Sequence, residues 1–211
     1  MSKAFKITKR ISDVIFRKKF WTDFPFYVEC IGNENSTSNK VYKSLVYKKR
    51  NWMSTKEFKA VEKTSFSILC NQLDEEEIYQ LLAKYKIQNL EKKDLFPVEK
   101  FEKAHKAYSC LINDLHIKNY NKNHLILTKN ALLHNFMNEI TELHFNKYSG
   151  LKSFLKNRAV IYCYHDKHEA KLEEYIKILE QYQVSILRVN TNDGFWRNSK
   201  KINQFLNQLK L

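Results

Sequence analysis

Glycine and proline are scarce, three and two in 211 residues. A chain so poor in turn-forming residues does not build an all-β fold from many short strands. No apolar run approaches the ~18 residues of a membrane span, and the most apolar stretch, Ala159 to Tyr164, has the length of a strand. Arginine is also rare. Of 37 basic residues only six are Arg (Arg10, Arg17, Arg50, Arg158, Arg188 and Arg197). The four cysteines, Cys30, Cys70, Cys110 and Cys163, include no close pair, which excludes zinc-ribbon and thioredoxin-type spacing. They read as reduced thiols of a cytoplasmic or other reducing compartment. A phosphate-binding glycine loop, a dinucleotide fingerprint and a nucleophile elbow are all missing, and the chain has no evident cofactor motif.

What is present is apolar mass and positive charge. With 43% hydrophobic and 14% aromatic residues, the chain can bury one large core or two small ones and is not disordered. The formal net charge is +14, and a field of that sign attracts phosphate polymers. The abundance of Lys, Asn, Ile, Tyr and Phe is also what an AT-rich genome imposes through its codons. That drift does not by itself suppress Asp and Glu, so the charge still points to DNA or RNA as partner.

Residues 1–19 carry Lys3, Lys6, Lys9, Arg10, Arg17, Lys18 and Lys19 against Asp13, with Ile7, Ile11, Val14 and Ile15 on one helical face. This start fits a first helix with a solvated basic face, or a mitochondrial presequence. Two extended runs follow, Phe26 to Ile31 and Val41 to Lys49, separated by polar residues, and they predict a β-hairpin. Ser54 to Glu57 has capping-box spacing. Ser65 to Cys70 reads as a third strand. Asp74 then caps a helix whose first turn holds Glu75, Glu76 and Glu77, and Pro97 opens a long helix ending near His116. After a loop at 118–123 the pattern becomes regular: strands at 124–128, 159–164 and 184–189 alternate with helices at 129–148, 167–182 and 199–211. The expected fold is α/β, a C-terminal unit (124–211) with a mainly parallel sheet, preceded by an α+β region (1–117) containing the hairpin. The two can form one continuous domain.

The sharpest constellation is Tyr164-His165-Asp166-Lys167-His168-Glu169, at the carboxyl end of a predicted buried strand, where open α/β sheets place ligands. It admits two readings. Asp166 can cap the following helix with Glu169 as its partner. Alternatively, His165, Asp166 and His168 move protons, and Asp166 and His168 bind a divalent metal.

Arg158-Ala-Val-Ile-Tyr-Cys-Tyr-His-Asp-Lys-His, a charged helix, the strand Val184-Ser-Ile-Leu-Arg-Val and a last helix together resemble the tail of restriction-endonuclease-like nucleases. The resemblance covers residues 158–211. It implies a metal-dependent nuclease using magnesium or manganese, with Asp166 and His168 in the site and Arg188 supporting it. That family's Glu-x-Lys spelling occurs as Glu169-Ala170-Lys171, on the predicted helix. The strand–helix–strand pattern is also similar to the opening of a TIR-type domain. A second carboxylate–lysine arrangement is Asp23 with Glu29 on the first hairpin strand and Lys43 on the next; Glu29 also reads simply as an edge-strand charge.

For nucleic acid, cations interleave with aromatics in two segments, Arg17, Lys18, Lys19 with Trp21, and Lys48, Lys49, Arg50 with Trp52. Lysines there can hold phosphates while an indole stacks on a base. Arg188 and Arg197 are further candidates. The leading expectation is a nucleic-acid-binding protein acting through phosphate contacts, either a nuclease-like subunit or a component of a ribonucleoprotein or mobile-element system. The alternatives are a metal-dependent nuclease centred on residues 165–168, and a non-catalytic assembly subunit whose basic face meets an acidic protein partner.

Overall fold

The computed structural model describes residues 27–32, 38–47, 52–61, 66–120, 125–164, 170–193 and 195–209. Five strands form one all-parallel sheet: β1 (Tyr27–Ile31), β2 (Trp52–Ser54), β3 (Leu125–Lys129), β4 (Arg158–Tyr164) and β5 (Ser185–Asn190). Their spatial order is β2-β3-β1-β4-β5. β1 is therefore central, pairing Val28 with Leu127 of β3 on one side and with Ala159 of β4 on the other. A strand from the first half of the chain sits between two from the second half, so both halves share this sheet.

The predicted hairpin is absent. The run expected as its second strand is instead α1 (Ser38–Tyr47). Val41 and Leu45 lie one helical turn apart, as do Tyr42 and Val46, so the apolar positions satisfy a helical period as well as an extended one. Leu45 is buried, and Val41 and Tyr42 pack against the same apolar cluster. The strand expected at Ser65–Cys70 is likewise helical, within α3 (Phe66–Glu75). Between β2 and β3 the chain is helical: α2 (Thr55–Val61), α3, α4 (Glu77–Glu91) and α5 (Pro97–Tyr120).

The capping box forms as the spacing predicts. Ser54 N–H donates to Glu57 Oε2 at 2.9 Å, and Glu57 N–H donates to Ser54 Oγ at 3.2 Å. The cap of α4 falls at Glu76 rather than Asp74. α5 begins at Pro97 as expected but runs to Tyr120, past the end expected near His116, and buries Ala107, Leu111 and Leu115.

After β3 come α6 (Leu132–Asn135), α7 (Met137–Phe145) and α8 (Leu151–Leu155). One helix was predicted over 129–148. It is divided at Phe136, whose φ of −111° lies outside the helical range; beside the break, Leu133 O accepts the Tyr175 hydroxyl at 2.9 Å. Then follow α9 (Ala170–Gln181) and α10 (Phe195–Gln208). α9 stops at Gln183, whose positive φ of 63° lets Val184 N–H return to Leu179 O at 3.2 Å.

Alternation along the strands divides the core. Val28, Cys30, Ala159, Ile161 and Cys163 face α1 and α10. Ile31, Val160 and Tyr162 face the larger helical layer of α4 to α9. The crossovers β2→β3, β3→β4 and β4→β5 run one way along the sheet and use this larger layer. The crossover β1→β2 runs the other way and uses the opposite face through α1. All four thus share one hand, as parallel connections require. No described helix is long and apolar enough to cross a membrane.

Candidate functional site

The topology singles out one end of the sheet. α1, which follows β1, packs on one face of the sheet, while α6 and α9, which follow its neighbours β3 and β4, pack on the other. Strand ends that diverge to opposite faces open a crevice, and ligands of open α/β sheets bind there. Beside this point, on the α1 face, lies a cleft of about 260 Å³. Lys40, Val41, Ser44 and Leu45 of α1 and Asn198, Ser199 and Ile202 of α10 line it, together with Thr191. Thr191 is fixed to the end of β4, donating both its N–H and its Oγ1 hydrogen to Tyr164 O at 3.0 Å. The lining combines apolar side chains with the hydroxyls of Ser44, Thr191 and Ser199, the Asn198 amide and the Lys40 ammonium group.

Asn198 is the unusual member. It is 6% exposed. Its Nδ2 donates to Asn190 O at 2.7 Å, which orients the amide, while its Oδ1 is buried without a hydrogen-bond partner. A buried acceptor in that condition costs about 1–3 kcal/mol. A ligand donor entering the cleft would remove that cost.

Asn130 Oδ1 and Asn203 Oδ1 are likewise buried without a hydrogen-bond partner but do not line this cleft, and the main buried charged groups are paired or hydrogen-bonded. Glu29 is not an edge charge, as it sits fully buried on the central strand. Its carboxylate accepts the backbone N–H groups of Ala131 (2.6 Å), Leu133 (2.9 Å) and His134 (3.0 Å), capping α6 from a strand 100 residues earlier. Burial pushes its pKa up to about 7, against the opposing pull of those three donors. Lys43 is exposed on α1, across the sheet from Glu29, so these two do not form a metal or water-activating pair.

At the amino end of β4, Arg158 makes a bidentate pair with Asp114 of α5, and Tyr79 donates to the same carboxylate at 2.6 Å. Arg158 is also sandwiched by the rings of Tyr27 and Phe154, 5.0 and 4.6 Å from their centroids. Half-buried Lys86 pairs with buried Glu139 at 3.4 Å, and burial lowers the Lys86 pKa against the pull of that carboxylate. Burial raises the thiols of Cys30, Cys110 and Cys163, so they stay protonated at neutral pH.

The predicted site residues are distributed as follows. His165, Asp166 and His168 lie outside the described residues, as do Asp23, Arg17, Lys18, Lys19, Lys48, Lys49 and Arg50. Trp52 is not a stacking platform, because it is buried and its indole N–H donates to Leu45 O at 2.8 Å. Arg188 reaches Glu173 at 3.1 Å and also bonds Glu180, so its guanidinium is neutralised locally. Arg197 is exposed on the first turn of α10. Among the described residues no three His, Cys, Asp or Glu side chains group to hold a metal ion. The sequence reading missed Lys40, Ser44, Thr191 and Asn198. The available signal was positional: Thr191 directly follows a strand, and polar residues interrupt the apolar faces of two helices.

No protein-family model, no curated protein and no solved structure matches this chain.

Proposed function

We propose that this protein binds a phosphate-bearing ligand of the nucleotide class in the cleft between α1 and α10. The observation that supports this reading is the unpartnered, buried Oδ1 of Asn198, a residue that lines a cleft of mixed apolar and polar side chains at the carboxyl end of the sheet. Asn198 accepts a hydrogen bond from a ligand hydroxyl or amine, Lys40 offers charge to a phosphate, and Leu45 and Ile202 supply apolar contact. At about 260 Å³ the cleft takes one moiety of a nucleotide, not the whole molecule.

Thermal denaturation of the full chain with adenosine mono-, di- and triphosphate, guanosine triphosphate and a dinucleotide tests this. A ligand present at about 100 times its Kd stabilises by about 2.7 kcal/mol. If none of the set raises the melting temperature at millimolar concentration, the reading fails.

A second reading is favoured by the net charge of +14: contact with the phosphate backbone of DNA or RNA. Binding to mixed-sequence DNA and RNA at about 50 mM salt, weakening as salt rises, supports it. Undetectable binding, or binding indifferent to salt, removes it. Cleavage centred on Asp166, His165 and His168 is a narrower form of this reading. It is tested with magnesium or manganese, and an Asp166→Ala variant that cleaves as well as wild type eliminates that site.

A further inference from the structure

The basic groups are not spread evenly over the ends of the sheet. At the amino edge of β4 and β5, opposite the carboxyl-end cleft, lies a groove of about 620 Å³ with no carboxylate in its lining. Lys152 and Lys156 stand one helical turn apart along α8 and its cap, both exposed. Among the described residues neither ammonium group has an ion-pair partner. Ser149, Ser153, Asn157 and Gln183 add hydroxyl and amide groups that can donate to anionic oxygens. Asn157 and Gln183 occupy the turns into β4 and β5 with φ of 62° and 63°, a conformation that holds both turns tight at the groove.

The adjacent groove, of about 460 Å³, shares Ser153, Lys156, Asn157 and Arg158 but differs in charge. Glu76 and Glu77 line it, and Glu76 already holds Lys118 at 2.6 Å. Arg158 reaches both grooves yet is committed to Asp114. Of these two grooves, only the one that carries Lys152 has no carboxylate in its lining. Tyr182 lines that groove too, but its hydroxyl is engaged by His144 Nδ1 at 3.1 Å and its ring packs edge-on against the imidazole.

We infer that the amino-edge groove seats the phosphate backbone of a nucleic acid, held chiefly by Lys152 and Lys156. The inference rests on the nucleic-acid reading above and is independent of the nucleotide cleft. Two phosphates held by this pair contribute about 1.4 to the logarithmic salt slope on a single strand and about 1.8 on a duplex.

The experiment is fluorescence anisotropy of labelled mixed-sequence RNA and DNA, single- and double-stranded, with the full chain across a salt series. The variants are K152E/K156E, K152R/K156R, and a control, K103E/K106E, that reverses two exposed lysines of α5. The expected result is a loss of about tenfold or more and a shallower salt slope for K152E/K156E only, with near-wild-type binding by the Arg pair. All these positions are exposed, and matching melting temperatures establish that each variant is folded. Equal losses from both reversed pairs would show that total charge, not the groove, holds the polymer and would overturn the assignment. So would an unaffected K152E/K156E. If wild type binds neither polymer, the nucleic-acid reading fails first and the groove with it.

Discussion

Arg158 and Asp114 meet in a bidentate pair with N–O distances of 2.5 and 2.6 Å, 44 residues apart in sequence and nearly inaccessible to water. The pair ties the amino end of β4 to the middle of α5. Burying two charges is costly, and this geometry offsets the cost only while both partners are present.

Removing one partner should therefore be severe. Arg158→Met or Asp114→Asn is expected to lower stability by about 3–5 kcal/mol in urea denaturation, because the remaining group is left buried without its partner. The double change D114L/R158M should recover a large part of that loss, since neither charge remains. Tyr79→Phe, which removes only the hydroxyl donating to Asp114 at 2.6 Å, should cost about 1–3 kcal/mol. If the double variant is as unstable as the sum of the single changes, the pair is not acting as a unit.

Glu29 gives the fold a pH dependence of definite sign. Its folded pKa, near 7, lies above the ordinary carboxylate value of 4.5. Between those values the folded state binds more protons than the unfolded state, so stability should fall as pH rises from about 4.5 to 7 and level off above. At about 1.36 kcal/mol per unit, the full span is on the order of 3 kcal/mol. Urea denaturation at pH 5, 6, 7 and 8 reads it, with Glu29→Gln as the comparison, in which this component of the slope disappears. A wild-type profile that rises over the same interval, and does so equally in the variant, would show that other carboxylates dominate.

Much of the architecture was legible because buried parallel strands read as short apolar runs, as 125–129 and 158–164 do, while the partly buried edge strand 185–190 was legible from Ile186, Leu187 and Val189. The capping box was legible because its two partners are three residues apart. The hairpin reading failed because a ten-residue segment with apolar residues at 41, 42, 45 and 46 satisfies two periods. What decides between them is the sheet that α1 covers, and that is not a local property. The central position of β1 was equally hidden, since strand order is fixed by crossovers that sequence alternation does not specify. This is why Glu29 read as an edge charge. Asn198 carried no motif because its meaning lies in what it lacks: a donor for a buried oxygen.

The capping box gives a local prediction with a clean control. Ser54→Ala removes the hydroxyl that accepts Glu57 N–H at 3.2 Å, and it should cost about 1 kcal/mol of stability through α2 alone. Ligand and nucleic-acid binding should be unchanged, because Ser54 lines neither the cleft nor the groove. A loss of binding without loss of stability would place β2 in an interface.

Asn198 separates a structural role from a functional one. In the free protein Asn198→Leu has two opposing effects whichever role holds: the 2.7 Å bond to Asn190 O is lost, and an unsatisfied buried oxygen disappears with it, so the melting temperature should hardly move. If the residue only braces α10, any nucleotide affinity stays intact. If the bare Oδ1 is a ligand acceptor, the stabilisation conferred by a nucleotide falls by about 1.4 kcal/mol or more, a tenfold weaker Kd. Asn198→Asp keeps an acceptor but adds a carboxylate to the cleft that Lys40 also lines. It should weaken a phosphorylated ligand more than the corresponding nucleoside. Denaturation with and without nucleotide and nucleoside measures both quantities in one experiment, and equal nucleotide stabilisation in all three proteins would leave Asn198 a brace.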